Sequence, residues 1–158
     1  MVKIGRVHTM EQGFNMEDII WKRELKRAKV FVMDESALFG AMIKTNLESG
    51  LECTVLCFES GKELFDNMVF DYPDIIIIDF KLGFSSNVDH MNGMDVYHNL
   101  REVTGIVPVV GITSESDEQY IENLKLQGIQ DVIDKNQNDF LDQLNACISR
   151  TLEELQKK

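Results

Sequence analysis

Apolar and polar residues follow one another along this chain in blocks of two kinds. Blocks of the first kind are short apolar runs without period-2 alternation: Val30 to Met33, Thr54 to Phe58, Ile75 to Ile78, Ile106 to Ile112 and Asp131 to Asp134. A run of that kind reads as a strand buried on both faces, as in a parallel sheet covered by helices. The clearest is Ile75-Ile76-Ile77-Ile78, four β-branched residues that enter from Pro73-Asp74 and end on Asp79, which predicts the central strand. Pro108 stands near the start of the fourth run, where a missing N–H is tolerable.

Blocks of the second kind set apolar residues on one helical face. Ser36 caps a helix that carries Leu38, Phe39, Met42, Ile43 and Leu47 and stops at Gly50. Ser60 opens a second with Leu64, Phe65, Met68 and Val69, and Met94, Val96, Tyr97 and Leu100 mark a third. Ser116 or Asp117 caps a fourth, with Tyr120, Ile121 and Leu124 inward and Gly128 just past its end. The last buries Phe140, Leu141, Leu144, Cys147 and Ile148 and runs on to Leu155. Ahead of the first strand, Asn15 as N-cap, with Phe14 and Ile19 as a hydrophobic staple, predicts an extra amphipathic N-terminal helix bearing Ile20, Trp21 and Leu25.

Strands alternating with helices predict an α/β domain: a doubly wound five-stranded parallel sheet with helices on both faces and right-handed crossovers. The domain is expected over residues 28–158, with 1–27 as an arm and the N-terminal helix. One connection breaks the rhythm, since Phe80 to Asn92 is about twice the usual two to six residues of such loops. The insertion within it, residues 84–92, reads as a surface loop, or more sharply as a lid or partner contact beside the end of the third strand. His90 within it has no second His or Cys nearby and reads as a solvated residue.

Composition narrows the context. The 158 residues carry a formal charge of −11, unevenly: residues 1–29 hold seven Lys/Arg against four Asp/Glu, which leaves −14 on the rest. So acidic a body repels phosphates, and no nucleic-acid partner is expected. No run approaches the ~20 apolar residues of a membrane span, and the N-terminus lacks a signal peptide's apolar core, so no membrane partner and a cytoplasmic location are expected. Cys53, Cys57 and Cys147 read as buried thiols in a reducing compartment.

The strand ends carry the candidate chemistry. The first ends in Asp34-Glu35, the third in Asp79, the fourth in Thr113-Ser114 and the fifth in Lys135, and all carboxyl ends of a parallel sheet share one rim. Singly, these are a helix N-cap pair, a loop-starting acid, a turn hydroxyl and a solvated charge. In the flavodoxin-like strand order 2-1-3-4-5, however, the first and third strands adjoin at the switch point where α/β folds bind ligands, and Asp34, Glu35 and Asp79 converge there. Three carboxylates repel one another unless a cation joins them, a need that a hard divalent ion meets, Mg²⁺ above all with Mn²⁺ as a substitute. With a hydroxyl from Thr113 and an ammonium from Lys135, the set suits an anion on Asp79: a phosphoryl group on its carboxylate, neutralised from two sides.

On four motifs the chain from Ala28 to Ile148 resembles the receiver domain of bacterial two-component response regulators. They are Met33-Asp34-Glu35-Ser36, the strand ending at Asp79, Gly111-Ile112-Thr113-Ser114, and the run from Gly128 to Lys135. The separations agree as well: 44 residues from Glu35 to Asp79 and 22 from Thr113 to Lys135. The resemblance implies that Asp79 is a phosphoacceptor served by a sensor histidine kinase or a phosphotransfer protein. It implies Mg²⁺ ligation by Glu35 and Asp79, by Asp34 partly through water, and by the backbone carbonyl of Lys81, with Thr113 and Lys135 on phosphoryl oxygens. Lys81, Ser114 and Glu115 stand where the family modulates the lifetime of the phosphoryl group, and a Lys81–Glu115 ion pair across the pocket mouth is expected to hinder attacking water.

Four positions depart from the pattern. Glu35 stands where the family usually has Asp, Val132 replaces the aromatic residue three before the lysine, Asn136 replaces the proline after it, and Gly83 replaces the proline four after Asp79. With ten residues after Ile148, the expectation is a stand-alone, chemotaxis-type receiver, a phosphoacceptor rather than an enzyme, that signals through phosphorylation-controlled binding of an unidentified output protein. The alternative is a pseudo-receiver, an interaction module independent of phosphorylation, which Glu35 and Val132 favour. A haloacid-dehalogenase-like phosphatase would need its second acid two residues after Asp79, where this chain has Lys81. The long last helix and the N-terminal helix leave a homodimer open.

Overall fold

Five strands, β1 (Ala28–Met33), β2 (Cys53–Phe58), β3 (Ile75–Asp79), β4 (Val109–Thr113) and β5 (Asp131–Asp134), alternate with five helices, α1 (Ala37–Gly50), α2 (Gly61–Met68), α3 (Gly93–Val103), α4 (Glu118–Leu126) and α5 (Phe140–Gln156). This structure, a computed structural model, describes residues 27–81 and 91–158. The expected N-terminal helix and residues 84–90 of the insertion lie outside the described residues. Every strand pair is parallel, as the alternation predicted, and the order is the flavodoxin-like β2-β1-β3-β4-β5 that brings the first and third strands together.

β3 lacks alternation because it feeds two cores at once. Ile75 and Ile77 join Val30, Val32, Val110 and Ile112 on the face covered by α1 and α5. Ile76 and Ile78 join Phe31, Met33 and Val109 on the face covered by α2, α3 and α4. All four isoleucines are fully buried, and each contributes on the order of 1.5–3 kcal/mol relative to exposure. The central strand is thus held from both faces along its whole length, and whatever stands at its end is held with it.

The helix starts follow the sequence. The Ser36 and Ser60 hydroxyls accept from Phe39 and Glu63 N–H, each at 3.2 Å. Asn92 and Asp95 form a reciprocal capping box at α3, and of the two candidates at α4 it is Asp117 that caps. Gly128, at φ +96°, ends that helix in the left-handed region that glycine tolerates.

Several apolar residues assigned to the interior lie outside it. On α1 the buried positions are Gly40, Ile43 and Leu47; Leu38 and Met42 each lie two residues from Gly40, about 160° round the helix, and Leu38 is 83% exposed. Gly40 is the closer contact because a Cβ there would already stand 3.5 Å from Cys57 Cβ, so the helix lies flat on β2 at its smallest residue. Val69 falls beyond α2 and is exposed. Tyr120 and Ile121 are only partly covered, leaving Leu124 as the buried residue of α4. Cys57 is exposed on the edge strand β2, while Cys53 and Cys147 are buried as expected. β4 starts at Val109 rather than Ile106, since Pro108 donates no N–H and contributes only its carbonyl, which accepts from Ile76 N–H at 3.1 Å.

Gly93 begins α3 against the exit of β3. A Cβ there would lie 2.6 Å from the Asp79 carbonyl oxygen and 3.2 Å from Phe80 Cα. Backbone atoms cannot yield as a flexible side chain does, so Gly93→Ala is expected to lower the unfolding free energy by about 1–3 kcal/mol, read as a reduced urea midpoint.

Candidate functional site

At the carboxyl rim, β1 and β3 are neighbours, so the residues that follow Met33 and Ile78 emerge side by side. Asp34 is fixed by its backbone, whose N–H donates to the Phe58 carbonyl at 3.0 Å, and by its own Oδ1, which accepts from Ser36 N–H at 2.9 Å. Asp79 is the last residue of β3, and the next N–H, of Phe80, donates to the Ile112 carbonyl at 2.7 Å. Both carboxylates are buried.

Lys135 reaches them from the far strand. Its backbone N–H donates to the Thr113 carbonyl at 2.8 Å, which extends the β4–β5 ladder by one residue. Its ammonium donates to Asp34 Oδ2 at 2.8 Å and to Asp79 Oδ2 at 3.2 Å, and it lies 3.9 Å above the Phe39 ring centroid. With only 12% of its side chain exposed, this is a largely desolvated cation held by two carboxylates and an aromatic face. One ammonium between two carboxylates leaves a negative charge in excess. Burial, and then the neighbouring Asp34, push the Asp79 carboxyl above the usual carboxylate range, while Lys135 pulls the other way. Asp79 Oδ1 is buried with no hydrogen-bond partner among the described residues. A buried acceptor in that condition is costly, and a group that supplied it with a donor or a cation would relieve the cost.

Thr113 is wholly buried. Its hydroxyl donates to the Phe80 carbonyl at 2.7 Å and accepts from Glu115 N–H at 3.1 Å. The residue thus stands beside Asp79 but is engaged with the backbone one position further on. Ser114 is exposed, and its carbonyl accepts from Asn136 Nδ2 at 2.6 Å. Where the resembled family has proline, Asn136 ties the β4–α4 loop to the β5–α5 loop.

Two expectations change. Glu35 does not converge with Asp34 and Asp79: its side chain is 70% exposed and lies 3.5 Å from the Lys81 ammonium. Lys81 accordingly pairs with Glu35 and not with Glu115. Among the described residues no three His, Cys, Asp or Glu side chains come together as a ready cage for a metal ion. The donor chemistry nevertheless fits a hard divalent cation: an unpartnered, buried Asp79 oxygen, the adjacent Asp34 carboxylate, excess negative charge, and a third carboxylate, Glu35, on the residue after Asp34. Sequence reading did not find the Phe39 ring under Lys135 or the Tyr120 hydroxyl, which lies 3.5 Å from the Phe80 carbonyl. Phe39 carried a signal, standing three residues after Ser36 at the rim end of α1, but it was counted as core.

A family model described as the response regulator receiver domain matches residues 30–145. Among curated proteins, the DNA-binding transcriptional regulator NtrC of Klebsiella pneumoniae is 24% identical over 127 residues, which is 80% of this chain and 25% of that protein. The chain therefore spans about a quarter of the length of the curated relative it matches. The receiver domain of the Francisella response regulator 1452 superposes with TM-score 0.69 at 19% identity, covering 82% of this chain and 99% of that one. Chemotaxis response regulator CheY4 of Vibrio cholerae gives 0.64 at 21% identity, covering 79% and 98%. At such identities the structural likeness speaks for the fold.

The site's charge imbalance predicts a gain in stability on neutralisation. In the presence of a chelator, Asp79→Asn is expected to raise Tm by about 2–4 °C, the shift that ~1 kcal/mol produces in a domain of this size. A lower Tm in the variant would show instead that pairing with Lys135 outweighs the burial of the carboxylate.

Proposed function

The chain belongs to the response regulator receiver domain family, and from that premise we propose that Asp79 accepts a phosphoryl group from a phosphohistidine of a sensor kinase or phosphotransfer protein. The observation that carries this reading is the unpartnered, buried Asp79 Oδ1 beside the Lys135 ammonium. In the transfer, an Asp79 carboxylate oxygen forms the bond to phosphorus as the phosphorus–nitrogen bond breaks, and the electron pair leaves with the imidazole ring. Lys135 donates to a phosphoryl oxygen while keeping Asp34 as its second partner. Thr113 turns its hydroxyl from the Phe80 carbonyl to another phosphoryl oxygen. A divalent cation, Mg²⁺ or Mn²⁺, held by Asp34, Asp79, the Lys81 carbonyl and a redirected Glu35, would supply neutralisation of the transferring charge.

The product is a more anionic rim, which biases the surface that an output protein reads. Receiver domains are signalling phosphoacceptors rather than dedicated enzymes, and the output here is binding. No helix among the described residues is long and apolar enough to cross a membrane. A second reading, a pseudo-receiver acting without phosphorylation, draws on the Glu35 side chain turned out to Lys81.

Incubation with acetyl phosphate and Mg²⁺ is expected to add one phosphoryl mass to the intact protein, with no uptake when Mg²⁺ is chelated beforehand and none in Asp79→Asn. No uptake by the wild type would overturn the phosphoacceptor reading and leave the second one standing. A further variant tests the outward pair: Lys81→Ala releases Glu35 toward the rim and is expected to tighten Mg²⁺ binding by up to about fivefold, the factor that ~1 kcal/mol of an exposed ion pair carries. Calorimetric titration of Mg²⁺ measures it, and weaker binding in the variant would count against the competition.

A further inference from the structure

One carbonyl at the rim is approached by two side-chain hydroxyls. Phe80, the residue after Asp79, receives the Thr113 hydroxyl at 2.7 Å and the Tyr120 hydroxyl at 3.5 Å on the same oxygen. The first is a full hydrogen bond and the second sits at the outer limit of one. Tyr120 lies in the first turn of α4, where the Asp117 carboxylate accepts from Gln119 N–H at 2.9 Å and from Tyr120 N–H at 3.4 Å.

α4 is the helix with least to hold it. Only Leu124 is fully buried, with Tyr120 and Ile121 packed in part against the core. The phenol of Tyr120 is therefore a large share of what ties the start of this helix to the sheet. Burial first, then the negative charges of Glu115 and Asp79, raise its pKa, which keeps it a donor at neutral pH.

The β5 side offers no competing hydroxyl. Val132 pairs with Gly111 across β4–β5, and a Cβ on Gly111 would stand 3.0 Å and 3.2 Å from Phe80 ring carbons and 3.3 Å from Val132 Cγ2. Phe80 and Val132 thus fill the space beside Gly111 of β4, and the Phe80 carbonyl with its two donors is a direct link from the residue after Asp79 to α4.

We propose that Tyr120 is the residue that transmits the state of Asp79 to α4: when Thr113 gives its hydroxyl to a phosphoryl group, Tyr120 becomes the side-chain donor to the Phe80 carbonyl and draws the first turn of α4 toward the rim. The proposal rests on Asp79 as phosphoacceptor and adds the route by which that event reaches a surface. A buried carbonyl that loses one donor favours the conformer that supplies another, which gives the two states their difference in free energy. Tyr120 is a positioning residue in this scheme and touches no phosphoryl atom.

Fluorine NMR of the full chain labelled with fluorotyrosine tests it, since the three tyrosines, Tyr72, Tyr97 and Tyr120, can be assigned by single Tyr→Phe variants. Addition of Mg²⁺ and beryllofluoride is expected to shift the Tyr120 resonance and leave that of Tyr72 in place. Thr113→Val, which removes the competing hydroxyl, is expected to move the Tyr120 resonance in the same direction with no phosphoryl mimic present. Tyr120→Phe should take up phosphoryl from acetyl phosphate to the wild-type extent but lose the change in α4 amide shifts that phosphorylation causes in the wild type. A phosphorylated wild type with an unmoved Tyr120 signal, or a Tyr120→Phe variant whose α4 amides respond as before, overturns this proposal and leaves the phosphoacceptor reading intact. Absence of phosphorylation in the wild type overturns both.

Discussion

The Lys135 ammonium stands between two buried carboxylates with which no other described side chain forms an ion pair, and the rim is built around that imbalance. It brings the end of β5 to the ends of β1 and β3 across the intervening β4, so four strand termini share one charge problem. Removing water from such a cluster is costly, and the cost is met in part by the Phe39 face below the ammonium and by the Ser36 N–H on Asp34. What remains is one excess negative charge and one unpartnered oxygen on Asp79. The fold tolerates this because β3 is anchored by four fully buried isoleucines, whose burial offsets the cost of one unpartnered charge at the strand's end.

Much of this was legible before any coordinates. Isoleucine at four consecutive positions has one physical reading, a strand with two buried faces, and alternation with helices then fixes parallel pairing and a shared carboxyl rim. Asp34 and Asp79 follow from that rim because each is the first polar residue after a buried run, and Lys135 because it stands one residue past the end of β5, where the β4–β5 ladder still sets the backbone direction. Glu35 was not legible for the opposite reason. It is exposed and long, and its direction depends on which cation lies within reach, something decided by Lys81 from another strand end. Leu38 and Met42 were misplaced because apolarity alone does not define a helix face: Gly40, with no side chain to signal burial, is what lies against Cys57. Tyr120 was read as core when its ring packs inward and its hydroxyl reaches the Phe80 carbonyl, a distinction between two ends of one side chain that periodicity cannot draw.

The three carboxylates at the rim thus divide between two resident cations according to depth. Asp34 and Asp79 are held by Lys135 in a site from which water is largely excluded, where an ion pair is hard to break because either partner left alone is a buried charge. Glu35 and Lys81 meet at 3.5 Å with most of both side chains in solvent, where water replaces either partner at little cost. In the proposed phosphoryl transfer the exposed Glu35–Lys81 pair would therefore give way before the interior one, with Lys135 still bound to Asp34. The same depth difference would set the order of rearrangement under that proposal: the outer glutamate first, then the Thr113 hydroxyl once there is an anion to receive it, with the Phe80 carbonyl left to the remaining donor on α4.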